Sequence, residues 1–340
     1  MFNSPFIRRP ASVRGIMLQV LLALLPGIAA HVYFFGAGLL VQMALATAAA
    51  LAGEAAMLRI RGKPVALFLG DLSAVVTAWL IALSFPPVVP WWLTVTATLM
   101  AVVVVKHLYG GLGQNPFNPA MAAFCLMIVA YPALMSCWPA AGQLDFGAQF
   151  ELIFGGARPM DALTGATPLD ALRTALRTAA DPESPLHGLR AAQLMDGPAF
   201  GALGGRGGEW VALGYLLGGL WLLQRRIITW HIPIAFCCAL FAAAGLLWGL
   251  RPDGFASPLF HLASGGAMLG AFFILTDPVS GASTPRGKLL FAAGAGLLTY
   301  LIRTFGAYPD GVAFATLLMN ICVPLIDMKT QAPVFGHKKG

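Results

Sequence analysis

The 340-residue chain is 58% hydrophobic and only 10% charged, whereas an ordinary soluble domain is about 45–50% apolar and about 25% charged. So few charges cannot cover a water-facing surface, which excludes a soluble enzyme and implies a polytopic membrane protein. The net charge of +7 does not point to nucleic acid, because the basic residues sit at the ends of apolar runs and form no patch with interleaved aromatics.

Arg8, Arg9 and Arg14 precede the first run, residues 15–36, which lacks a small-residue cleavage site and is read as a retained helix. Nine further runs follow at 38–58, 67–85, 88–106, 117–138, 208–224, 231–250, 258–276, 287–304 and 308–326. Each approaches the roughly 20 apolar residues needed to span a bilayer. Arg59, Arg61, Lys63, Lys106, Arg225, Arg226, Arg286 and Lys288 fall on the same side as the amino terminus, so both termini are expected in the cytoplasm. The polar stretch 139–206 is then an outer loop. The expected division is a first membrane half (1–138), this extracytoplasmic loop (139–206) and a second half with a cytoplasmic tail (207–340).

Five spans on each side of the loop predict an all-α fold built as a five-plus-five inverted repeat. Internal similarity points the same way. Leu83-Ser84-Phe85-Pro86-Pro87 and Leu275-Thr276-Asp277-Pro278-Val279 stand 192 residues apart, and Pro119-Ala120-Met121-Ala122 and Asp310-Gly311-Val312-Ala313 stand 191 apart. Cys125, Cys137, Cys237, Cys238 and Cys322 lie in or beside apolar runs without metal-ligand spacing and read as plain buried thiols.

The outer loop carries Asp161-Ala162-Leu163-Thr164-Gly165-Ala166-Thr167-Pro168-Leu169-Asp170. Thr167 is suited to cap a short amphipathic helix that begins at Pro168, with Asp170 as the acidic partner of a capping box. A helix amino terminus with free amides also accommodates a phosphate, so the cap is compatible with a phosphoester on the threonine. A second segment, Gly110-Gly111-Leu112-Gly113-Gln114-Asn115-Pro116-Phe117-Asn118-Pro119-Ala120, combines three glycines with two prolines. It reads as an inter-helix turn or a ligand site, since irregular backbone at membrane depth persists where it is buried in protein or lines a cavity.

The Asp161, Thr164, Gly165, Ala166, Thr167 pattern resembles the motif on which flavin transferase attaches FMN through a phosphoester to the last threonine. With the glycine-rich turn, Thr276-Asp277-Pro278 and Pro285-Arg286-Gly287, the chain resembles, nearly end to end, the D-subunit family of the Rnf electron transport complex. That family is related to the B subunit of the sodium-translocating NADH:quinone reductase. The resemblance implies covalent FMN on Thr167 near the outer face and non-covalent riboflavin near Asn115 and Asn118. It also implies electron relay between ferredoxin and NAD sites on the partner A, B, C, E and G subunits, coupled to Na+ or H+ movement across the bacterial inner membrane. No catalytic triad or metal centre is expected on this chain, because the flavin ring would do the chemistry. The rival expectation is a channel or secondary transporter for a small polar solute.

Three acidic residues fall in or near spans, where carboxylates are costly and default to functional hypotheses. Asp71 is a candidate for an ion path, Glu54 is expected to pair with Arg59 and Arg61, and Asp277 to cap a turn. His31, His107, His231 and His261 lie at span edges and are expected to make interfacial hydrogen bonds. Tryptophans near span ends read as belt residues.

Overall fold

The computed structural model describes residues 12–155, 165–179, 189–308 and 310–331. Among these residues the regular structure is helical, with two isolated β-bridges. The first half comprises α1 (Val13–Phe35), α2 (Gly38–Ile60), α3 (Val65–Leu69), α4 (Ser73–Ser84), α5 (Trp91–His107) and α6 (Pro119–Ala130). A connecting segment carries α7 (Pro132–Met135), α8 (Phe146–Phe154), α9 (Pro168–Ala179) and α10 (Ala191–Leu194). The second half holds α11 (Gly208–Gln224), α12 (His231–Leu250), α13 (Pro258–Ala263), α14 (Ala267–Leu269), α15 (Pro285–Phe305) and α16 (Val312–Thr330). Helices α1, α2, α12, α15 and α16 are long and apolar enough to cross a membrane, and α4, α5 and α6 are shorter apolar helices. The chain is a multi-pass, all-α membrane protein.

The order of elements in the first half recurs in the second. In each, the second helix packs on the fourth (α2 on α5, α12 on α15) and the third is broken (α3/α4, α13/α14). Both breaks turn through a left-handed residue, Leu72 at φ +66° and Gly265 at φ +63°. They stand 193 residues apart, close to the internal offset in the sequence. A polar side chain holds the start of the last helix of each half: Asn118 Oδ1 caps α6, accepting from the Ala120 and Met121 amides, and Asp310 Oδ1, one residue before the start of α16, accepts from those of Gly311 and Val312. The halves meet where α1 packs along α11 and α6 touches α16, the pairing expected of an inverted repeat.

Two departures from the expected spans have local causes. The runs 67–85 and 258–276 are each two helices, because the chain leaves helical geometry at Gly70–Leu72 and at Ser264–Gly266. The run 117–138 ends its helix at Ala130, and Pro132, which has no amide proton to continue the ladder, starts the single turn α7. Helical pitch also loosens to π over Met100–His107 and over Gly270–Ile274, which follows α14.

The connecting segment lies against one end of the bundle. Gln149, fully buried in α8, donates to the Phe35 carbonyl and accepts from the Gly38 amide, so it staples α8 to the α1–α2 turn. Arg173 of α9 donates to the carbonyls of Gly306 and Tyr308 between α15 and α16. Leu169 and Leu172 pack with Ala256 and Phe260 in a small core of their own. The Ala191 amide donates to the Asp253 carbonyl in the α12–α13 turn. Three turns of the bundle thus hold the segment.

Candidate functional site

Of the five residues of the threonine motif, Asp161 and Thr164 lie outside the described residues, and Gly165, Ala166 and Thr167 are described. The Gly165 amide donates to the Trp138 carbonyl at 2.8 Å, which fixes the approach of the chain to α9. Thr167 Oγ1 accepts from the Asp170 amide at 3.2 Å, so Thr167 is the expected cap. The Asp170 carboxylate pairs with Arg173 instead of returning to the cap, so only half of the expected capping box forms. Close packing locks the start of the helix: a Cβ on Gly205 would stand 2.2 Å from Pro168 Cγ.

Gly165, Ala166 and Thr167 line one cavity of about 520 Å3 between the two halves of the bundle. Its walls include Phe35 of α1, Leu83 of α4, Phe124 of α6, Tyr215 of α11 and Leu269 of α14. At the rim stands Arg206, whose side chain has no ion-pair partner among the described residues. Met121 and Ile274 also line it. Asn118 holds both of these residues: its Oδ1 accepts from the Met121 amide, and its Nδ2 donates to the Ile274 carbonyl.

One side of the cavity is the break between α13 and α14. The Gly266 amide donates to Asp310 Oδ2 at 2.6 Å, and Arg303, whose side chain is fully buried, bridges Asp310 and the carbonyls of His261 and Ser264. This ion pair orders a stretch of backbone that forms no helix, and it does so at the end of the bundle where α9 docks. Nothing in the sequence marked Arg303 and Asp310 as partners, because they stand on either side of a turn between two apolar runs.

The opposite end of the bundle holds a second polar cluster. Lys106 Nζ donates to Glu54 Oε2 at 2.8 Å and to Ser73 Oγ at 3.0 Å, and His107 Nε2 stands 3.2 Å from the same carboxylate oxygen. Lys106 and Glu54 are 2% and 3% exposed, so each charge depends on the other. Glu54 therefore pairs with Lys106, not with Arg59 and Arg61 as expected, because α5 brings Lys106 across the bundle onto α2. Asp71 Oδ1 accepts from Ser73 N at 2.7 Å and from Ser73 Oγ at 2.6 Å, which caps α4 and joins Asp71 to the cluster through Ser73.

Asn115 and Asn118 are both buried at the start of α6. Asn115 Nδ2 donates to the Phe117 carbonyl, and the Asn118 amide donates to Asn320 Oδ1 of α16. Asp277 caps its turn as expected, accepting from the Val279 amide and the Ser280 hydroxyl. The histidine expectation is corrected for His31, His231 and His261, whose Nδ1 atoms are buried without a hydrogen-bond partner, whereas His107 Nδ1 meets Arg61 Nη1 at 3.3 Å. So is that for the thiols: Cys125 is buried, but Cys238 and Cys322 are exposed on apolar helices. Among the described residues no group of three metal-ligating side chains occurs.

Residues 1–336 match the model of the NQR2, RnfD, RnfE family. The chain belongs to this family. Similar proteins, each named as the D subunit of an ion-translocating oxidoreductase complex, occur in Pseudomonas paraeruginosa (51% identical, covering 99% of this chain and 96% of the relative) and Aeromonas hydrophila subsp. hydrophila (48%, 100% of each). Another, from Yersinia pseudotuberculosis, is 48% identical over 99% of this chain and 98% of the relative. The threonine-lined cavity, with the Arg303–Asp310 pair on one side of it, and the buried Glu54–Lys106 cluster lie at opposite ends of the bundle.

Proposed function

We propose that this protein is the flavin-carrying D subunit, set in the membrane, of an ion-translocating oxidoreductase complex, with FMN joined by a phosphoester to Thr167 Oγ1. The observation that carries the reading is the placement of Thr167: a half-buried helix-capping hydroxyl that opens onto a largely apolar cavity of about 520 Å3. That volume is within the roughly 300–1,000 Å3 of sites that enclose a ligand of this size. The α9 amino terminus and Arg206 offer a phosphate the dipole and cation it prefers. Asp161, Thr164, Gly165 and Ala166 would form the sequence that the flavin transferase reads.

The flavin, when bound, accepts and donates electrons. The residues of this chain position it, keep water from its ring and join its site to the rest of the bundle. Asn118 touches the cavity floor through Met121 and Ile274, and we place the expected riboflavin at the turn bearing Asn115 and Asn118, beneath that floor. Ferredoxin and NAD would react on the partner A, B, C, E and G subunits in the bacterial inner membrane. Both termini would face the cytoplasm and residues 139–206 the outside. Asp71, linked through Ser73 to the Glu54–Lys106 pair, is our candidate on the path of Na+ or H+.

The paired broken helices and the cavity between the halves also fit a secondary transporter for a small polar solute. Intact mass and in-gel fluorescence of the denatured chain, expressed with the flavin transferase, separate the two readings. The expected result is a fluorescent band with the added mass of FMN that Thr167→Ala abolishes. An unmodified wild-type chain beside a flavinylated control protein overturns the flavin reading in favour of transport.

A further inference from the structure

The stretch 139–206 is polar in sequence, yet its helix α8 carries an exposed stripe of phenylalanine. Phe146, Phe150 and Phe154 stand four residues apart and are 53%, 48% and 42% exposed, and their rings follow one another at centroid distances of 6.1 and 4.6 Å. A helix turns about 100° per residue, which sorts α8 into three faces. Gln149, Leu152 and Ile153 are buried on the side held by the bundle. The phenylalanines occupy the neighbouring flank. Exposed Glu151 lies beyond them, nearly opposite the buried side. A contiguous apolar surface of this kind marks contact with another protein or with a membrane.

The place of α8 in the fold decides between these. Gln149 holds the Phe35 carbonyl and the Gly38 amide, so α8 sits at the turn between α1 and α2, two helices long enough to cross a membrane. Exposed aromatics gather at this end of the bundle. Tyr33 is in the last turn of α1, Trp91 opens α5 and Trp210 is in the first turn of α11. Val89, two residues before Trp91, accepts from Gln42 one turn into α2, and a Cβ on Gly207, three residues before Trp210, would stand 3.0 Å from Phe34. Such rings collect at the boundary between headgroups and acyl chains. The phenylalanine stripe thus stands at the level of the belt that ends the lipid-facing surface of the bundle.

We propose that α8 is an interfacial helix, with Phe146, Phe150 and Phe154 among the acyl chains of the phospholipid leaflet at this end of the bundle and Glu151 toward water. Helices that rest in a membrane surface pair an apolar face with a polar one. In α8 a third face, Gln149 with Leu152 and Ile153, docks the helix on its own bundle. A phenyl ring has no polar atom to leave unpaired among acyl chains, and the carboxylate keeps its hydration on the opposite side. The stretch 139–206 is then not wholly immersed in water: its first part grips the bilayer and sets the depth at which the segment sits. This seat does not depend on what Thr167 carries.

The test places the photoreactive residue p-benzoylphenylalanine at one position at a time in the full chain, within the assembled complex in its native membrane, and reads the photoproducts by mass. The positions are Phe146 and Phe150, where the new side chain keeps the phenyl ring, with two references. Leu217, 53% exposed on α11, reports contact with lipid, and Thr174, exposed on the polar side of α9, reports contact with water. The expected result is phospholipid adducts at Phe146 and Phe150 in yield comparable to Leu217 and about tenfold or more above Thr174. A crosslink from Phe146 or Phe150 to another protein chain, whether a partner subunit or a second copy, overturns the proposal. So does lipid labelling at both positions no higher than at Thr174 while Leu217 is labelled.

Discussion

At the scale of single residues, the charged side chains inside the bundle divide by what holds them. Lys106 and Glu54 sustain one another at 2.8 Å in a buried site, and removal of either leaves an uncompensated charge at a cost of about 3–5 kcal/mol. Asp71 differs, because its carboxylate is half-buried and its Oδ1 accepts both bonds from Ser73. An asparagine oxygen can accept the same two bonds and remains a good helix cap. Asp71→Asn therefore removes charge while keeping the start of α4, so folding and charge can be tested apart. If Asp71 stands on the ion path, the variant should accumulate with wild-type thermal stability while ion uptake into vesicles holding the complex falls at least tenfold. Uptake at the wild-type rate removes Asp71 from the path.

At the scale of elements, the two broken helices show what hydropathy can and cannot reveal. The apolar runs located the membrane helices because burial in lipid imposes a continuous requirement on composition, and several expected limits, such as 208–224 and 231–250, coincide with the helices found. The breaks were hidden. Gly70-Asp71-Leu72 and Ser264-Gly265-Gly266 are short, and apolar neighbours on both sides keep any average over a span high. Thr167 was legible because capping is local and residue-specific. The cavity beside it was not, since a position in a run does not tell which way a helix is rotated, and rotation is set by packing partners far along the chain.

The same breaks make contrasting predictions. Gly265 at φ +63° has no room for a side chain: its Cβ would stand 2.5 Å from Asp310 Oδ2 and 2.9 Å from Arg303 Nη2. Gly265→Ala combines the left-handed cost of roughly 1–2 kcal/mol with displacement of the buried ion pair. Thermal unfolding in detergent should show a loss of more than about 2 kcal/mol, together with less of the flavin proposed on Thr167. Leu72 already bears the left-handed strain, so Leu72→Gly relieves roughly 1 kcal/mol and should leave stability equal or higher. Equal losses from the two changes would show that left-handed geometry does not control these turns.

At the scale of the whole molecule, the cavity exists because the halves touch along narrow seams and leave space between them. On one side α1 and α11 approach almost backbone to backbone: a Cβ on Gly218 would stand 1.8 Å from the Ala23 carbonyl oxygen, and one on Gly214 would stand 2.7 Å from Gly27 Cα. Glycines four apart are the usual means of such approach in lipid, where contact between helices must come from dispersion and close fit. On the other side Asn320 ties the halves together, accepting from the Asn118 amide and donating to the Ser280 carbonyl. A side chain at Gly218 cannot be absorbed by a rotamer change, since it meets a carbonyl of the facing helix. Gly218→Ala is expected to force α1 from α11 and to cost at least the roughly 1–3 kcal/mol typical of overpacking, with the flavin proposed on Thr167 exposed to water. Gly249 of α12 has open space where its Cβ would go, so Gly249→Ala adds the same methyl group to an apolar helix without a collision. Iodide quenching of the proposed flavin, measured beside thermal unfolding, should rise for Gly218→Ala and stay at the wild-type value for Gly249→Ala. Unchanged quenching in a destabilised Gly218→Ala protein would mean that the walls of the cavity are held by the connecting segment and not by the seam.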